Sequence, residues 1–113
     1  MKKSMLSSIL LGSLLSFTAF AGTGTGTITQ VIVHRDDSGH GVVMFTTQGN
    51  TDKAPCSSVA NEWAFSLNNE LGKAMYSLVL SAQAQAKPVV VKGMHQCNDW
   101  GDRETPLYIA VHN

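Results

Sequence analysis

The sequence predicts a small, mainly β protein in which five strands and one helix follow the order β-β-β-α-β-β and one disulfide ties the loops. Three observations carry this expectation. Clusters of β-branched and aromatic residues alternate with Gly, Asp and Pro turn signals. A single stretch, residues 70–85, has helical rather than strand periodicity. The only two cysteines, Cys56 and Cys97, form an even pair in a chain of 113 residues.

The chain opens with Lys2 and Lys3 before an apolar run from Met5 to Phe20 that Ser interrupts, closing on Ala19-Phe20-Ala21. That is the pattern of a secretory signal peptide with a small-x-small cleavage site. Residues 1–21 are therefore expected to be a leader and residues 22–113 a single domain. Gly22 follows the expected cut, not a cysteine, so the pattern is not that of a lipoprotein. The expected location is periplasmic or secreted, where disulfides persist.

Beyond the leader, six basic residues face eight acidic ones, and Arg35, Lys53, Lys73, Lys87, Lys92 and Arg103 stand singly along the chain. Nucleic-acid binding requires clustered cations, so no nucleic-acid partner is expected. The longest remaining apolar runs are three to five residues, which excludes direct insertion of a helix into a membrane.

Taken in order, the repeat Gly22-Thr23-Gly24-Thr25-Gly26-Thr27 lacks apolar anchors and reads as a mobile lead-in, although its threonines suit a strand once partners exist. From Thr27 to Arg35 the β-branched density is high, and Asp36-Asp37-Ser38-Gly39 supplies a turn before Gly41 to Thr47, giving a hairpin. Val31-Ile32-Val33 breaks alternation, as a strand buried on both sides or carrying a bulge would. Gln48 to Ser58 reads as a loop. Trp63, Phe65 and Leu67 alternate with Glu62, Ala64 and Ser66 in a half-buried third strand that places Trp63 in the core.

Leu71, Met75, Leu78, Val79 and Ala82 then fall on one helical face, with Asn68 and Asn69 available as caps and Lys87-Pro88 as the stop. Val89-Val90-Val91 and Leu107 to Val111 complete the strands, the latter with Leu107, Ile109 and Val111 facing one way. One helix between the third and fourth strands is the arrangement of the five-stranded oligonucleotide/oligosaccharide-binding (OB-fold) barrel.

In an oxidising compartment the cysteines are expected to pair as Cys56–Cys97, which would stabilise so small a domain by about 4 kcal/mol on the chain-entropy model. A metal site built from His95 and Cys97 with Asp99 or Cys56 is the alternative, but His95-x-Cys97 has no second spaced pair. No metal or cofactor is expected.

Ile28-Thr29-Gln30 in the first strand, Cys56-Ser57 followed by Trp63, the helix running into Lys87-Pro88-Val89 and the late Cys97 together resemble the secreted binding (B) subunits of pentameric bacterial toxins, most closely the subtilase cytotoxin B subunit family. The resemblance spans most of the chain beyond the leader. It implies OB-fold barrels assembled as a ring of five with helices lining a pore, and sugar bound away from a catalytic subunit. The family's sugar contacts include a hydroxyl residue near the start of the first strand, for which Thr25 or Thr27 is the nearest equivalent. This chain is shorter after the fourth strand, where the relatives carry a longer insertion.

The residues themselves point to recognition of a ligand without catalysis. Trp100 stands in a polar loop with Asn98, Asp99, Asp102, Arg103 and Glu104. It serves either as an exposed stacking platform with directed polar groups around it, or as a loop anchor packed against the disulfide. A calcium site from Asp99, Asp102 and Glu104 lacks full ligand spacing. His34, His40, His95 and His112 are scattered, and His34 and His112 would be neighbours only if the first and last strands paired. Ser57 and Ser58 lie in no nucleophile-elbow context, and no carboxylate pair is placed by a regular element, so the chain is not expected to be an enzyme. Tyr76 and Leu80, on the helix face opposite the core stripe, support a homo-oligomer packed through helix 70–85. The expected function is a secreted carbohydrate-binding module of toxin B-subunit type. The alternative is a periplasmic structural or inhibitory module that binds another protein.

Overall fold

The structure is a computed structural model that describes residues 21–113. The leader expected over residues 1–21 lies outside the described residues apart from Ala21. Among them are seven strands and one helix: β1 (Thr23–Gly26), β2 (Gln30–Arg35), β3 (Gly41–Thr46), β4 (Gly49–Thr51), β5 (Glu62–Ser66), α1 (Glu70–Ala84), β6 (Val89–Gly93) and β7 (Pro106–Val111). They form two antiparallel sheets, one of four strands in the order β4-β1-β6-β7 and one of three in the order β2-β3-β5. The fold is thus mainly β with one helix and one disulfide, as expected. The two sheets do not close into a single barrel. They meet where Ala64 N–H donates to the Glu104 carbonyl (3.2 Å), beside an isolated parallel bridge between Trp63 and Glu104.

The core gathers Ile28, Val43, Phe45, Trp63, Phe65, Met75, Val79, Ala82, Val89, Val91 and Ile109, from both sheets and the helix. Phe45 and Phe65 meet edge to face, with centroids 5.9 Å apart. Trp63 is buried as expected, its indole N–H donating to Thr47 Oγ1 (3.1 Å). The strand carrying it is more deeply placed than expected. While Trp63 and Phe65 face this core, Ala64 joins Val42 and Met44 in a second buried cluster on the other side of the β2-β3-β5 sheet. Both faces of that sheet's centre are covered, so β5 is buried from Trp63 to Ser66 where alternation suggested half-burial.

The Gly-Thr repeat is not a mobile lead-in. Thr23–Gly26 is the inner strand β1, paired on one side with β4 and on the other with β6. Its lack of apolar anchors has a packing cause. A Cβ on Gly24 would lie 2.7 Å from both Thr47 Oγ1 and Trp63 Nε1, so the glycine lets the backbone close over the indole. Gly49–Thr51, expected as loop, forms β4 on the outer side of β1.

β2 also departs from expectation. It is an edge strand pairing only with β3, in continuous register, and Ile32 (36 %) and Val33 (51 %) are exposed rather than buried on two sides. His34 and His112 do not become neighbours through strand pairing, because β2 and β7 belong to different sheets.

The helix runs over Glu70–Ala84, close to the expected span. Asn69 caps it, its side-chain oxygen accepting from Gly72 N–H (2.8 Å), and Ala86 at φ +52° turns the chain out before Pro88. Met75, Val79 and Ala82 face the core as predicted, but Leu71 is 61 % exposed and Gly72 is buried in its stead. The helix start sits directly on the end of β5, where a Cβ on Gly72 would lie 1.7 Å from the Ser66 carbonyl oxygen. Leu71 and Leu107, which sits unpaired at the β6–β7 register shift and is 54 % exposed, instead border an apolar groove of about 210 Å³ between α1 and β7.

Cys56, in the loop after β4, is bonded to Cys97 in the loop between β6 and β7. The cysteines therefore do not form the alternative metal site, and no cluster of potential metal ligands occurs among the described residues. No helix among them is long and apolar enough to cross a membrane.

Two stability outcomes follow from this packing. Gly72→Ala sets a methyl group against a backbone oxygen that cannot rotate away and should cost about 3 kcal/mol; an unchanged urea midpoint would place the helix start elsewhere. Replacing both cysteines by alanine should lower stability by about 4 kcal/mol, since the bond closes a loop with a sequence separation of 41. A loss in thermal unfolding no larger than that of an ordinary surface double variant would contradict this.

Candidate functional site

The loop between β6 and β7 holds most of the residues singled out in the sequence, and hydrogen bonds fix it along its length. Thr105 Oγ1 accepts from Asn98 N–H (2.9 Å) and Asp99 N–H (3.3 Å), while Thr105 N–H donates to the Gln96 carbonyl (2.8 Å). Ser58 N–H donates to the Asp102 carbonyl (3.0 Å), binding the two disulfide-linked loops together. Asp99 Oδ2 accepts from Ser66 N–H (2.9 Å) at the end of β5.

This scaffold lays Trp100 on the sheet. The indole is half-buried over Val42, Met44 and Ala64, the outward face of β3 and β5, with the His34 ring tilted at 59° beside it, centroids 4.8 Å apart. Trp100 packs on the sheet face formed by Val42, Met44 and Ala64. Its position is explained by the second apolar cluster, which would otherwise be bare.

A cleft of about 430 Å³ opens between this loop and the β2–β3 turn. Asp36, Asp37 and Ser38 line one wall, and Asn98, Asp99 and Trp100 the other. Asp36 is committed to the turn, its Oδ1 accepting from Ser38 N–H and His40 N–H (both 2.9 Å). Asp37 is exposed and, among the described residues, its carboxylate makes no hydrogen bond or ion pair. The Asn98 side-chain amide donates to Gln96 Oε1 (2.6 Å) and keeps acceptor capacity toward the cleft.

Asp102 and Arg103 are taken up differently. Arg103 donates from Nε to Glu62 Oε1 (2.6 Å) and from Nη1 to Asp102 Oδ1 (2.7 Å), joining the loop to the start of β5. Burial works against the Arg103 charge, but the hydrogen bond and charge of Glu62, with those of Asp102, outweigh it and hold the guanidinium above its ordinary range. Neither residue lines the Trp100 cleft.

The conceivable calcium ligands diverge. Asp99 caps the end of β5 and Asp102 pairs with Arg103. Glu104 turns inward at 1 % exposure, where Oε1 accepts from Ala54 N–H (2.9 Å) and Oε2 from Gly22 N–H (3.0 Å) and His95 N–H (2.9 Å). Glu104 is the residue whose importance the sequence hid, because nothing in a polar stretch with three acids marks one of them as core.

Thr25 and Thr27 belong to the other sheet and its exit, apart from the Trp100 cleft. Thr25 Oγ1, exposed, donates to the Gly49 carbonyl (3.3 Å), and Thr27 N–H donates to Gln48 Oε1 (3.0 Å). The two groups of sequence-derived binding residues thus form two surfaces, not one site. On the helix, Leu80 is exposed (40 %) while Tyr76 packs partly against the core.

Comparison with protein-family models, with curated proteins and with solved structures gives no match.

Trp100→Ala should lower stability by about 2–3 kcal/mol, below a full core truncation because the indole is half-buried, whereas Trp100→Phe should recover most of it. Denaturant unfolding of both variants checks this; equal stability for wild type and Trp100→Ala would mean that the indole does not cover the sheet.

Proposed function

We propose that this chain is an exported, non-catalytic binding module that recognises carbohydrate in the cleft between the β2–β3 turn and the Trp100 loop. The observation that carries the reading is the company Trp100 keeps. An indole that is only half covered stands in a cleft with the Asp37 carboxylate and the Asn98 amide, both with unused acceptor capacity. Sugars are bound by that combination, an aromatic surface for the C–H face and a few directed polar groups for the hydroxyls. The sequence pattern of residues 1–21 supports export, and the Cys56–Cys97 disulfide is compatible with an oxidising compartment.

The resemblance to toxin B subunits extends this proposal. β1 and β2 follow each other across Thr27–Thr29 and feed different sheets, which reads as one bent strand of an opened OB-fold barrel. In that reading Thr25 or Thr27 would supply a second sugar contact, and exposed Leu80 would lie in a contact between copies in a ring of five.

A second reading has its own support. β2 is an unprotected edge strand with Ile32 and Val33 exposed, the kind of edge on which another protein chain adds a strand. This is the periplasmic structural or inhibitory module.

A glycan array separates the two. Specific sugar binding that falls at least about tenfold in both Trp100→Leu, which keeps apolar cover on the sheet but removes the aromatic ring, and Asp37→Ala, which removes the acceptor, is the expected result. Binding that survives both substitutions moves the site away from this cleft. Silence on the array, with a partner whose capture is lost on Val33→Lys, favours the β2 edge. Light scattering on the same preparation reads whether a ring of five forms.

A further inference from the structure

Glu104 presents a problem of charge. Its carboxylate is 1 % exposed, and both oxygens act only as acceptors, from the backbone N–H groups of Gly22, Ala54 and His95. Three N–H donors converging on one carboxylate favour negative charge on its oxygens. Yet among the described residues no lysine or arginine lies within ion-pair distance of it. A negative charge buried on neutral donors alone is costly, and proteins as a rule place a cation beside it.

One of the three donors is special. Gly22 is the residue that follows Ala19-Phe20-Ala21, so its nitrogen is the atom that leader removal would set free. It lies 3.0 Å from Glu104 Oε2 and is buried. We infer that the α-ammonium of Gly22, released by cleavage after Ala21, is the missing counter-charge of Glu104, and that processing completes the buried site. The inference rests on the reading of residues 1–21 as a cleaved leader. A leader-cleaving protease hydrolyses the Ala21–Gly22 peptide bond with one water. The C–N bond breaks, the water oxygen goes to the Ala21 carboxylate, and Gly22 N leaves as an ammonium. The neutral N–H···O contact becomes a charge-assisted one without movement of the chain.

The surroundings fit this role. The Gly22 carbonyl accepts from Gly93 N–H (2.8 Å), so the new terminus is held against β6 and does not fray. A Cβ at position 22 would lie 2.6 Å from Glu104 Oε1 and 3.2 Å from the Lys53 backbone, so the first residue after the cut has room only for glycine. Lys92 Nζ, 3.3 Å from the Ala21 carbonyl, keeps Thr23 Oγ1 at 3.3 Å when Ala21 departs. Lys53, Lys92 and His95 are the other titratable residues around the site.

The test starts from the full chain, produced with its leader in a bacterial host and collected after export. Intact mass must begin at Gly22; any other start, or an uncleaved chain, overturns the leader reading and the ion pair with it. On protein that begins at Gly22, an amine reagent applied near neutral pH should label the α-amine at least about tenfold more slowly in the folded than in the denatured state. Labelling at the same rate in both overturns the ion pair while the leader reading stands. Selective acetylation of the α-amine in denaturant, followed by refolding, should lower the thermal midpoint of the wild type and leave that of Glu104→Gln nearly unmoved. An equal shift in both also overturns it. Should Glu104→Gln fail to fold, the labelling of wild type decides alone.

Discussion

The buried carboxylate of Glu104 is the constraint on which the arrangement of loops depends. Gly22 leads into β1, Ala54 sits in the loop beside Cys56, and His95 opens the β6–β7 loop. These segments lie just past the ends of the β1–β4 and β1–β6 ladders, where strand pairing stops, so side-chain acceptors must satisfy their N–H groups wherever they are buried. One carboxylate does this for three of them, and its own backbone carbonyl takes Ala64 N–H from β5. Glu104 therefore links both sheets where they touch without closing, beside the Ser66–Asp99 and Glu62–Arg103 contacts. The disulfide lies in the same pair of loops, and the Arg103 ion pairs with Glu62 and Asp102 fasten the next turn to β5.

Much of the architecture was legible where periodicity reports burial. The helix, β3, β6 and the disulfide follow from apolar runs and spacing bounded by clear stops and from cysteine pairing, although β3 proves buried on both faces. The departures have local causes. β1 carries no apolar signal because its contribution is the absence of side chains over Trp63, and composition alone cannot tell such a strand from a flexible linker. Leu71 and Gly72 exchange roles because the helix begins against the Ser66 carbonyl, a contact between backbones that a hydrophobic pattern does not encode. β2 looks like a buried strand in composition yet lies at an edge, since β-branched residues favour strands wherever they lie in a sheet.

Of the sequence-derived binding residues, Trp100, Asn98 and Asp99 share a cleft, Asp102 and Arg103 form an ion pair beside it, and Thr25 and Thr27 lie in another sheet. Proximity in sequence predicted the first group because a short loop keeps its members together. The second lies outside the cleft, where charges of opposite sign at adjacent positions, with Glu62 nearby in space, pair with one another. The indole shows how one ring can cover the sheet and still face a cleft. One face of a ring suffices to cover Val42, Met44 and Ala64, and the remainder stays open to the cleft.

That division bears on how a ligand would be held. A loop tied by the disulfide, by Thr105 to Asn98 and Asp99, by Asp99 to β5 and by Glu104 to the interior has little conformational freedom left to lose. Ordering mobile loops and rotamer-rich side chains consumes binding energy, so a site whose loop is already fixed gives more of each contact to affinity. The opposite wall is equally set, with Asp36 locking the β2–β3 turn through Ser38 and His40. Of the groups facing the cleft, Asp37 makes no side-chain hydrogen bond or ion pair among the described residues, while Asn98 is held by its bond to Gln96. On the carbohydrate reading proposed above, selectivity would arise from where these fixed acceptors stand relative to the indole, so a sugar would be chosen by the positions of its hydroxyl groups rather than by its flexibility.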